Sequence, residues 1–468
     1  MRAFSLSLGR AGFWAGCFAL VLAIRLCHAG VLWADEAYGI AAARRILEGA
    51  SLYRGFWFDK PPLYAWIYLL WGAETGWLLR LGGAVFALAC CWLAHRAASA
   101  LFTPREGYCA AAAMAFFLSF DHPAAIVSLA PDLLLIPFAL ASIWSCASGR
   151  PIWAGVLAAA GLLANAKALF LLPVVVFWSP GAWRRIVIAY SCTIALIWVL
   201  ARGWWEPVWL WGVQYSGDTF VADPLMEGLR RTVNWTGFHA ALALAAAVFF
   251  LESKDLRWRI GLWLVLGLAA VFAGARFFPR YYLVLLPPLA VAAARGLCLP
   301  GRRRIAALLL LPLFVPAIRF GGRHLATLRG QPAGMRDLIL YEDARQAALK
   351  IRSLARPGDT LLVWGYRPEL NVLAGLPGGA PFLDSQPLTG VLADRHLHEH
   401  RPSLPEIAAR NRRRLIRTNP AFIADGLGGL NSRLAITRYP DLRPWLSRYR
   451  LAAATAGTLI YRLADDRR

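Results

Sequence analysis

Long apolar stretches follow one another from residue 11 to about residue 319, and beyond that point the chain becomes polar. A helix that crosses a membrane needs about 20 apolar residues, so these stretches indicate a bundle of spanning helices. We predict about eleven spans, at residues 11–31, 78–101, 107–121, 131–147, 152–166, 168–179, 186–201, 236–252, 260–275, 281–298 and 304–319. The pattern therefore predicts an α-helical multi-pass membrane domain over residues 1–319.

Two long loops interrupt these spans, at residues 32–77 and 202–235, and both are predicted on the outer side. Residues 32–77 contain a helical stretch from Glu36 to Glu48 and an apolar run, residues 61–72, that is too short to span and favours an interfacial helix. The second loop is rich in tryptophan, which is typical of the aromatic belt at a membrane surface. Its tryptophans are Trp204, Trp205, Trp209, Trp211 and Trp235.

Residues 320–468 alternate short β-like runs with helical ones. Strands are predicted at residues 359–364, 421–424 and 458–461, and a helix from Leu338 to Leu354 that stops before Pro357 and Gly358. This part is expected to form a small α/β extracytoplasmic domain.

Basic residues orient the bundle, because cytoplasmic loops of membrane proteins carry an excess of Lys and Arg. When the predicted helices alternate, clusters such as Arg184–Arg185 and Arg302–Arg304 all fall on one side. The N-terminus is then cytoplasmic and residues 320–468 lie outside the cytoplasmic (inner) membrane. The alternative, that the N-terminal apolar run and its two arginines are a cleaved signal peptide, fits the later loops less well.

Composition supports a membrane protein and limits other classes. Hydrophobic residues make up 59% of the 468 residues and charged residues 16%, against about 25% charged in average soluble domains. The net charge of +23 is explained by loop anchors and a phosphate site, so no nucleic-acid partner is expected. The eight cysteines lie in apolar runs without a CxxC pair, which disfavours disulfides and a cysteine zinc site.

Ionisable residues at membrane depth are costly and are functional candidates by default. Asp35 and Glu36, Asp132, and the cations Lys60, Lys167 and Arg280 come from separate segments that the predicted topology brings to the outer face. Carboxylates beside cations suit a general base next to a bound phosphate. The alternatives are a helix cap for Asp35 or Asp132, a snorkelling Lys60 and an interface anchor at Arg280.

A histidine-rich group at residues 395–400, RHLHEH, is a further candidate. It would bind a metal if a strand placed its three histidines on one face. A solvated surface strand or loop is the favoured interpretation, because Arg401 and Pro402 follow directly.

Several of these residues lie in short motifs, which are ADEAY at 34–38, DKPPLYAW at 59–66, PDL at 131–133, ANAK at 164–167, RYY at 280–282 and LLPPLA at 285–290. In this order the motifs resemble the glycosyltransferase family 39 group, which includes protein O-mannosyltransferases and the lipid A aminoarabinose transferase, within the glycosyltransferase C superfamily. The resemblance covers residues 30–292. The C-terminal domain looks like the small external domains of bacterial members.

The resemblance implies a multi-pass enzyme that uses a polyprenyl-phosphate sugar and inverts the anomeric carbon. By analogy, Asp35 is the general base, Glu36 positions the acceptor or the base, and Asp132 orients the acceptor or a cation. By the same analogy, the donor phosphate is bound by Lys60, Lys167, Arg280 and Tyr281. We expect no metal or other cofactor, and an envelope lipid, polysaccharide or protein as acceptor.

Two other functions compete with the transferase. A transporter or flippase of a phosphorylated lipid would also place charges inside a bundle, but it should show internal repeats, and none is visible. A binding module anchored by the helices would leave the charged residues near the spans unexplained.

Overall fold

The computed structural model describes residues 2–200, 203, 223–254, 256–299, 303–331 and 335–464. α-Helices account for most of the chain up to Leu328 and recur in the C-terminal part. They are Arg2–Leu26, Ala34–Leu47, Leu63–Leu69, Trp77–Leu101, Pro104–Phe117, Pro123–Ile126, Pro131–Leu134, Ile136–Ala147, Pro151–Ala160, Leu171–Trp178, Trp183–Leu200, Pro224–Phe238, Ala240–Glu252, Arg257–Phe272, Leu286–Cys298, Arg303–Leu310, Phe314–Leu328, Arg336–Leu354, Pro368–Ala374, Gln386–Thr389, Pro405–Leu415 and Arg443–Leu446.

Short 3₁₀ helices connect or extend several of them. These are Gly161–Leu163, Ala166–Phe170, Pro180–Ala182, Pro279–Leu285, Leu311–Leu313, Ala393–Arg395, Ser432–Leu434, Ile436–Arg438 and Pro440–Leu442.

Each of the eleven predicted spans falls on a helix or on consecutive helices. Among the described residues, five helices are long and apolar enough to cross a membrane: Gly9–Leu26, Trp77–Leu101, Pro180–Leu200, Pro279–Cys298 and Arg304–Leu328. A sixth candidate is the pair Pro224–Phe238 and Ala240–Glu252, which is bent by 93°. Shorter apolar helices occupy Pro131–Ala147, Pro151–Leu163 and Ala166–Trp178. The chain is therefore a multi-pass membrane protein whose helices differ widely in length.

Small residues let the bundle helices approach closely, as is usual in membranes. A Cβ on Gly296 would lie 1.9 Å from the carbonyl oxygen of Ala245, and one on Gly155 would lie 2.4 Å from that of Ile186. Neither position has room for a side chain. Glycine here holds the Leu286–Cys298 helix against Ala240–Glu252, and Pro151–Ala160 against Trp183–Leu200.

Loop 32–77 contains the two predicted helices, Ala34–Leu47 and Leu63–Leu69, packed on each other. Gly39 makes this contact possible, because its Cβ would lie 2.5 Å from the Tyr68 ring. In loop 202–235, Trp204, Trp205, Trp209 and Trp211 lie outside the described residues. Trp235 is buried and stacks on His239, with ring centroids 3.9 Å apart, so its prediction as a surface anchor was wrong.

A four-stranded sheet forms the centre of the C-terminal domain, in the order β1-β2-β4-β3. β1 (Leu361–Trp364) and β2 (Phe422–Asp425) are parallel and fully buried, and β4 (Leu459–Leu463) runs antiparallel to β2. These strands and the Arg336–Leu354 helix confirm the predicted elements. The edge strand β3 (Tyr449–Ala454) was not predicted, because most of its side chains are exposed and carry no buried-strand pattern.

Loop 32–77 and the C-terminal domain are joined by hydrogen bonds to backbone carbonyls. Arg44 Nη1 donates to the Val372 carbonyl and Arg45 Nη1 to the Gly378 carbonyl, both at 2.6 Å. The Trp57 amide donates to the carbonyl of Pro381 at 2.9 Å. The domain is thereby fixed next to the loop that carries Asp35 and Lys60.

Candidate functional site

Asp35 and Arg280 form an ion pair that joins two distant parts of the chain. Asp35 lies in the first turn of the Ala34–Leu47 helix, and Arg280 lies in the Pro279–Leu285 3₁₀ helix. The guanidinium Nη1 of Arg280 donates to Oδ2 of Asp35. Both side chains remain partly accessible, at 22% and 28% exposure, so a ligand can reach them.

Asp132 lies beside this pair and binds two neighbours. Its Oδ1 accepts hydrogen bonds from Lys167 Nζ at 2.5 Å and from Asn165 Nδ2 at 3.1 Å. Its Oδ2 is 3.8 Å from Nε of Arg280. Arg280 therefore links the two carboxylates that the sequence singled out.

Lys167 also faces Tyr281. Its Nζ lies 3.6 Å from the centre of the Tyr281 ring, a cation–π contact. Asn165 fixes the turn before it, because the Asn165 side chain accepts the Lys167 amide at 3.0 Å. Tyr281 thus takes part in the site by supporting a cation.

Lys60 contributes the third cation. Its Nζ donates to Oδ2 of Asp59 at 2.7 Å, and the Lys60 side chain keeps 35% of its surface exposed. Burial alone would lower the pKa of Lys60, but the charge and hydrogen bond of Asp59 raise it overall. Lys60 is accordingly positively charged and is paired with the carboxylate of Asp59.

Glu36 lies apart from this cluster, in a buried pair. Its two carboxylate oxygens accept Arg80 Nη2 at 2.6 Å and Nη1 at 2.8 Å, and Oε1 also accepts the Trp33 amide at 3.0 Å. Glu36 and Arg80 are 0% and 1% exposed. Glu36 therefore has no access to an acceptor molecule, but it fixes the start of the helix that carries Asp35.

The C-terminal domain adds two groups to the site. Tyr366 follows β1 and lies against Tyr38, with ring centroids 5.4 Å apart. Burial, together with Tyr64 and Asp35, raises the pKa of Tyr366 well above its usual value, so it remains a neutral hydroxyl. Asp337, in the first turn of the Arg336–Leu354 helix, lies within electrostatic range of Asp35 and Arg280.

The cluster thus pairs three cations with three carboxylates: Lys60 with Asp59, Lys167 with Asp132, and Arg280 with Asp35. The pairs are close to neutral as a set, and an arriving phosphate can replace a carboxylate as the partner of a cation. A carboxylate released in this way becomes available to accept a proton. The arrangement therefore suits phosphate binding coupled to proton abstraction.

The structural alternatives for individual residues are resolved by these contacts. Asp35 is not the cap of its helix, since Trp33 occupies that position, and Ala130 precedes the helix that holds Asp132. Arg280 is held in the cluster rather than anchored at a surface. Lys60 is tied to Asp59 rather than extended freely.

The histidine-rich group is neither a strand nor fully solvated. Ala393–Arg395 forms a 3₁₀ turn, and His396 is buried, with Nε2 2.9 Å from the Val391 carbonyl. Within the described ranges, no group of three His, Cys, Asp or Glu side chains is placed to hold a metal ion. The expectation of a solvated segment was therefore wrong for His396.

Sequence reasoning overlooked Arg80 and the residues of the C-terminal domain. Arg80 lies inside a predicted span, and an ionisable residue at that depth should have been a candidate by the same rule that selected Asp132. Tyr366 and Asp337 lie in a polar segment, where nothing in the pattern marks a residue that contacts a distant site.

Solved structures similar to this fold include the following two proteins. ArnT from Cupriavidus metallidurans, bound to undecaprenyl phosphate, matches with a TM-score of 0.63 and 14% identity, over 98% of each chain. The oligosaccharyltransferase of Archaeoglobus fulgidus, in its complex with Zn and sulfate, matches with a TM-score of 0.51 and 11% identity, over 97% of this chain and 73% of that chain. No family model and no curated protein matches the sequence. The likeness extends over nearly the whole chain, and the protein shares its membrane fold with these two structures.

Proposed function

We propose that the protein is an inverting membrane glycosyltransferase that moves a sugar from a polyprenyl-phosphate donor to an acceptor hydroxyl. The observation that carries this proposal is the cluster of three cations and three carboxylates next to the C-terminal domain. The fold supports it, because ArnT, which shares that fold, was determined with undecaprenyl phosphate bound. The acceptor is an envelope lipid, a polysaccharide or a protein.

Lys60, Arg280 and Lys167 hold the phosphate of the donor in this proposal. Lys60 and Arg280 are the more accessible of the three, at 35% and 28% exposure against 13% for Lys167. Phosphate is a strong partner for a guanidinium group, so it competes with Asp35 for Arg280. Lys167 and Tyr281 support the phosphate from the side of Asp132.

Asp35 then acts as the general base. As the acceptor oxygen attacks the anomeric carbon, the bond from that carbon to the phosphate oxygen breaks and the lipid phosphate leaves with the electron pair. The acceptor's proton passes to Asp35. The three cations stabilise the charge that develops on the leaving phosphate.

Asp132 orients Lys167 and Arg280, and Glu36 positions the base by fixing the helix start with Arg80. The chain's own cations supply the charge stabilisation in this scheme, and no metal or other cofactor has a step in it. We place the protein in the cytoplasmic membrane, with its N-terminus cytoplasmic and the C-terminal domain outside, because this orientation follows the positive-inside rule.

The test uses the full-length protein in membrane vesicles with a radiolabelled polyprenyl-phosphate sugar and an envelope extract as acceptor. Asp35→Asn keeps the shape of the side chain but removes the base, and we expect sugar transfer to fall by about 10²–10⁴-fold. Glu74→Gln is the matched control, since Glu74 is an exposed carboxylate of the same loop.

If Asp35→Asn transferred sugar at the wild-type rate, Asp35 would not be the base. Labelled lipid that crosses the vesicle membrane, with no sugar transferred by either protein, would establish a flippase instead. Donor binding should survive in Asp35→Asn, because the phosphate contacts come from the cations.

A further inference from the structure

A cavity lies between loop 32–77 and the C-terminal domain, with Gly203 of loop 202–235 also in its lining, and none of its lining residues belongs to the charged pairs of the site. Its volume is about 330 Å³, within the range of about 300–1,000 Å³ that small-molecule sites occupy. Arg54, Phe56 and Trp57 line it from the loop, and Phe382 and Arg414 from the domain. We propose that this cavity binds an anionic saccharide, a sugar unit that carries a phosphate or carboxylate group and belongs to the acceptor.

The charge of the cavity points to an anion. Arg410 and Arg414 are one turn apart on the Pro405–Leu415 helix, so they share a face, and Arg54 faces them from the loop. Among the described residues, none that lines the cavity is acidic. Within the described part of the chain, Arg54 and Arg414 form no ion pair, so both guanidinium groups can bind a ligand's phosphate or carboxylate through two parallel hydrogen bonds.

The aromatic lining points to a sugar. Tyr53, Phe56, Trp57 and Phe382 supply four rings, of which Phe56 and Phe382 are buried and Tyr53 and Trp57 half-buried. The C–H faces of a sugar ring are apolar and pack against aromatic rings, while its hydroxyl groups remain free to bind polar groups. A site of this kind combines apolar area with a few charged groups that fix orientation.

The cavity wall is shared by both parts of the protein, which are bonded to each other there. Trp57 and Phe382 form a parallel β-bridge, and the Trp57 amide bonds the Pro381 carbonyl. Tyr53 adopts a left-handed backbone with φ of 68°, which is rare for a bulky residue and marks a conformation held by its surroundings.

One residue of this wall also contacts the cluster of cations and carboxylates. The Tyr53 hydroxyl donates to the carbonyl of Lys60 at 2.8 Å. One short segment, residues 53–60, therefore connects the cavity to a cation that we assign to the donor phosphate. This makes the cavity suitable for recognising the acceptor beside the donor, an assignment that rests on the proposed function.

The experiment measures binding rather than transfer, so that the two proposals fail separately. The full-length protein and its Asp35→Asn variant, both in lipid nanodiscs, are titrated with glucose 6-phosphate, glucuronate, glucose and inorganic phosphate. Binding is followed by saturation-transfer NMR and calorimetry. We expect both anionic sugars to bind both proteins, and glucose and inorganic phosphate to bind each at least about tenfold more weakly.

The variant Arg54→Ala/Arg414→Ala should weaken binding of the anionic sugars by about tenfold or more. Arg413→Ala is the matched control, because Arg413 is an exposed arginine of the same helix outside the cavity. Unchanged binding by the double variant, at an unfolding temperature equal to that of the wild type, would overturn the assignment. If inorganic phosphate bound as tightly as the anionic sugars, the cavity would be a general anion site and the proposal of a saccharide site would be wrong. If glucose bound as tightly as the anionic sugars, the arginines would not contribute to recognition and the proposal of an anionic ligand would be wrong. Loss of transfer in Asp35→Asn with binding intact supports both proposals.

Discussion

Asp384 lies in the contact between the C-terminal domain and loop 32–77, and replacing it by asparagine should stabilise the protein at neutral and alkaline pH. Its Oδ1 accepts the Gln386 amide at 2.7 Å, whereas its Oδ2 is buried without a hydrogen-bond partner among the described residues. Tyr38 and Asp59 face it from the loop. Burial, and then the nearby charge of Asp59, raises the pKa of Asp384 from 3.8 to about 7.

The sign of the effect follows from proton binding. Below about pH 4 the Asp384 carboxyl is protonated in both the folded and the unfolded chain, so it does not affect stability. Between about pH 4 and 7 the unfolded chain releases the proton while the folded chain keeps it, so the free energy of unfolding falls as the pH rises. Above about pH 7 the whole loss has occurred, and it amounts to at most about 4 kcal/mol.

The Asp384→Asn variant has no carboxyl group to titrate at this position, so its free energy of unfolding does not fall for this reason as the pH rises. Its amide oxygen can still accept from Gln386, and its amide nitrogen can donate to Asp59 in place of the proton. We expect the variant and the wild type to unfold at similar temperatures at pH 4.5, and the variant to unfold up to roughly 16 °C higher at pH 8, at about 2–4 °C for each kcal/mol.

The assay is thermal unfolding of the full-length protein in one detergent, from pH 4.5 to 8. Asp425, whose pKa burial raises to about 6, is present in both proteins, so the measured quantity is the difference between them. Asp441→Asn changes an exposed carboxylate of the same domain and should produce no gain that grows with pH. The reasoning is refuted if the difference is constant across the pH range, or if Asp384→Asn is the less stable protein at pH 8.

Three further predictions follow from packing and charge. Glu36→Gln leaves the charge of buried Arg80 unpaired and should cost about 3–5 kcal/mol of stability; thermal unfolding measures this, and a loss no larger than that of an exposed pair would contradict it. Lys167→Ala should raise the KM for the donor about tenfold or more in the transfer assay, with exposed Lys254→Ala as the control; an unchanged KM would remove Lys167 from the phosphate site. Gly39→Ala places a methyl group 2.5 Å from the Tyr68 ring and should lower both the unfolding temperature and the yield of folded protein, whereas wild-type values for both would show that the contact can relax.

The sequence by itself determined most of the architecture. Each predicted span falls on a helix, and three of the four strands were predicted, because long apolar runs and buried strands are local patterns. It also selected the charged residues of the cluster other than Asp59, since an ionisable group near an apolar span is costly and is seldom found there without a function. The fold that these elements build is shared with ArnT over 98% of the chain, at 14% sequence identity.

The tertiary structure decided which of those residues act together. Asp35 and Glu36 are neighbours in sequence, yet the turn of the helix directs Asp35 to Arg280 and Glu36 to buried Arg80. No local pattern distinguishes the two carboxylates, because their partners lie 245 and 44 residues away. The cavity lined by Arg54 and Arg414 could not be predicted from the sequence either. Its two walls come together only when the C-terminal domain packs on loop 32–77. Local periodicity fixes which residues form helices and strands, whereas contacts between distant residues depend on how those elements pack.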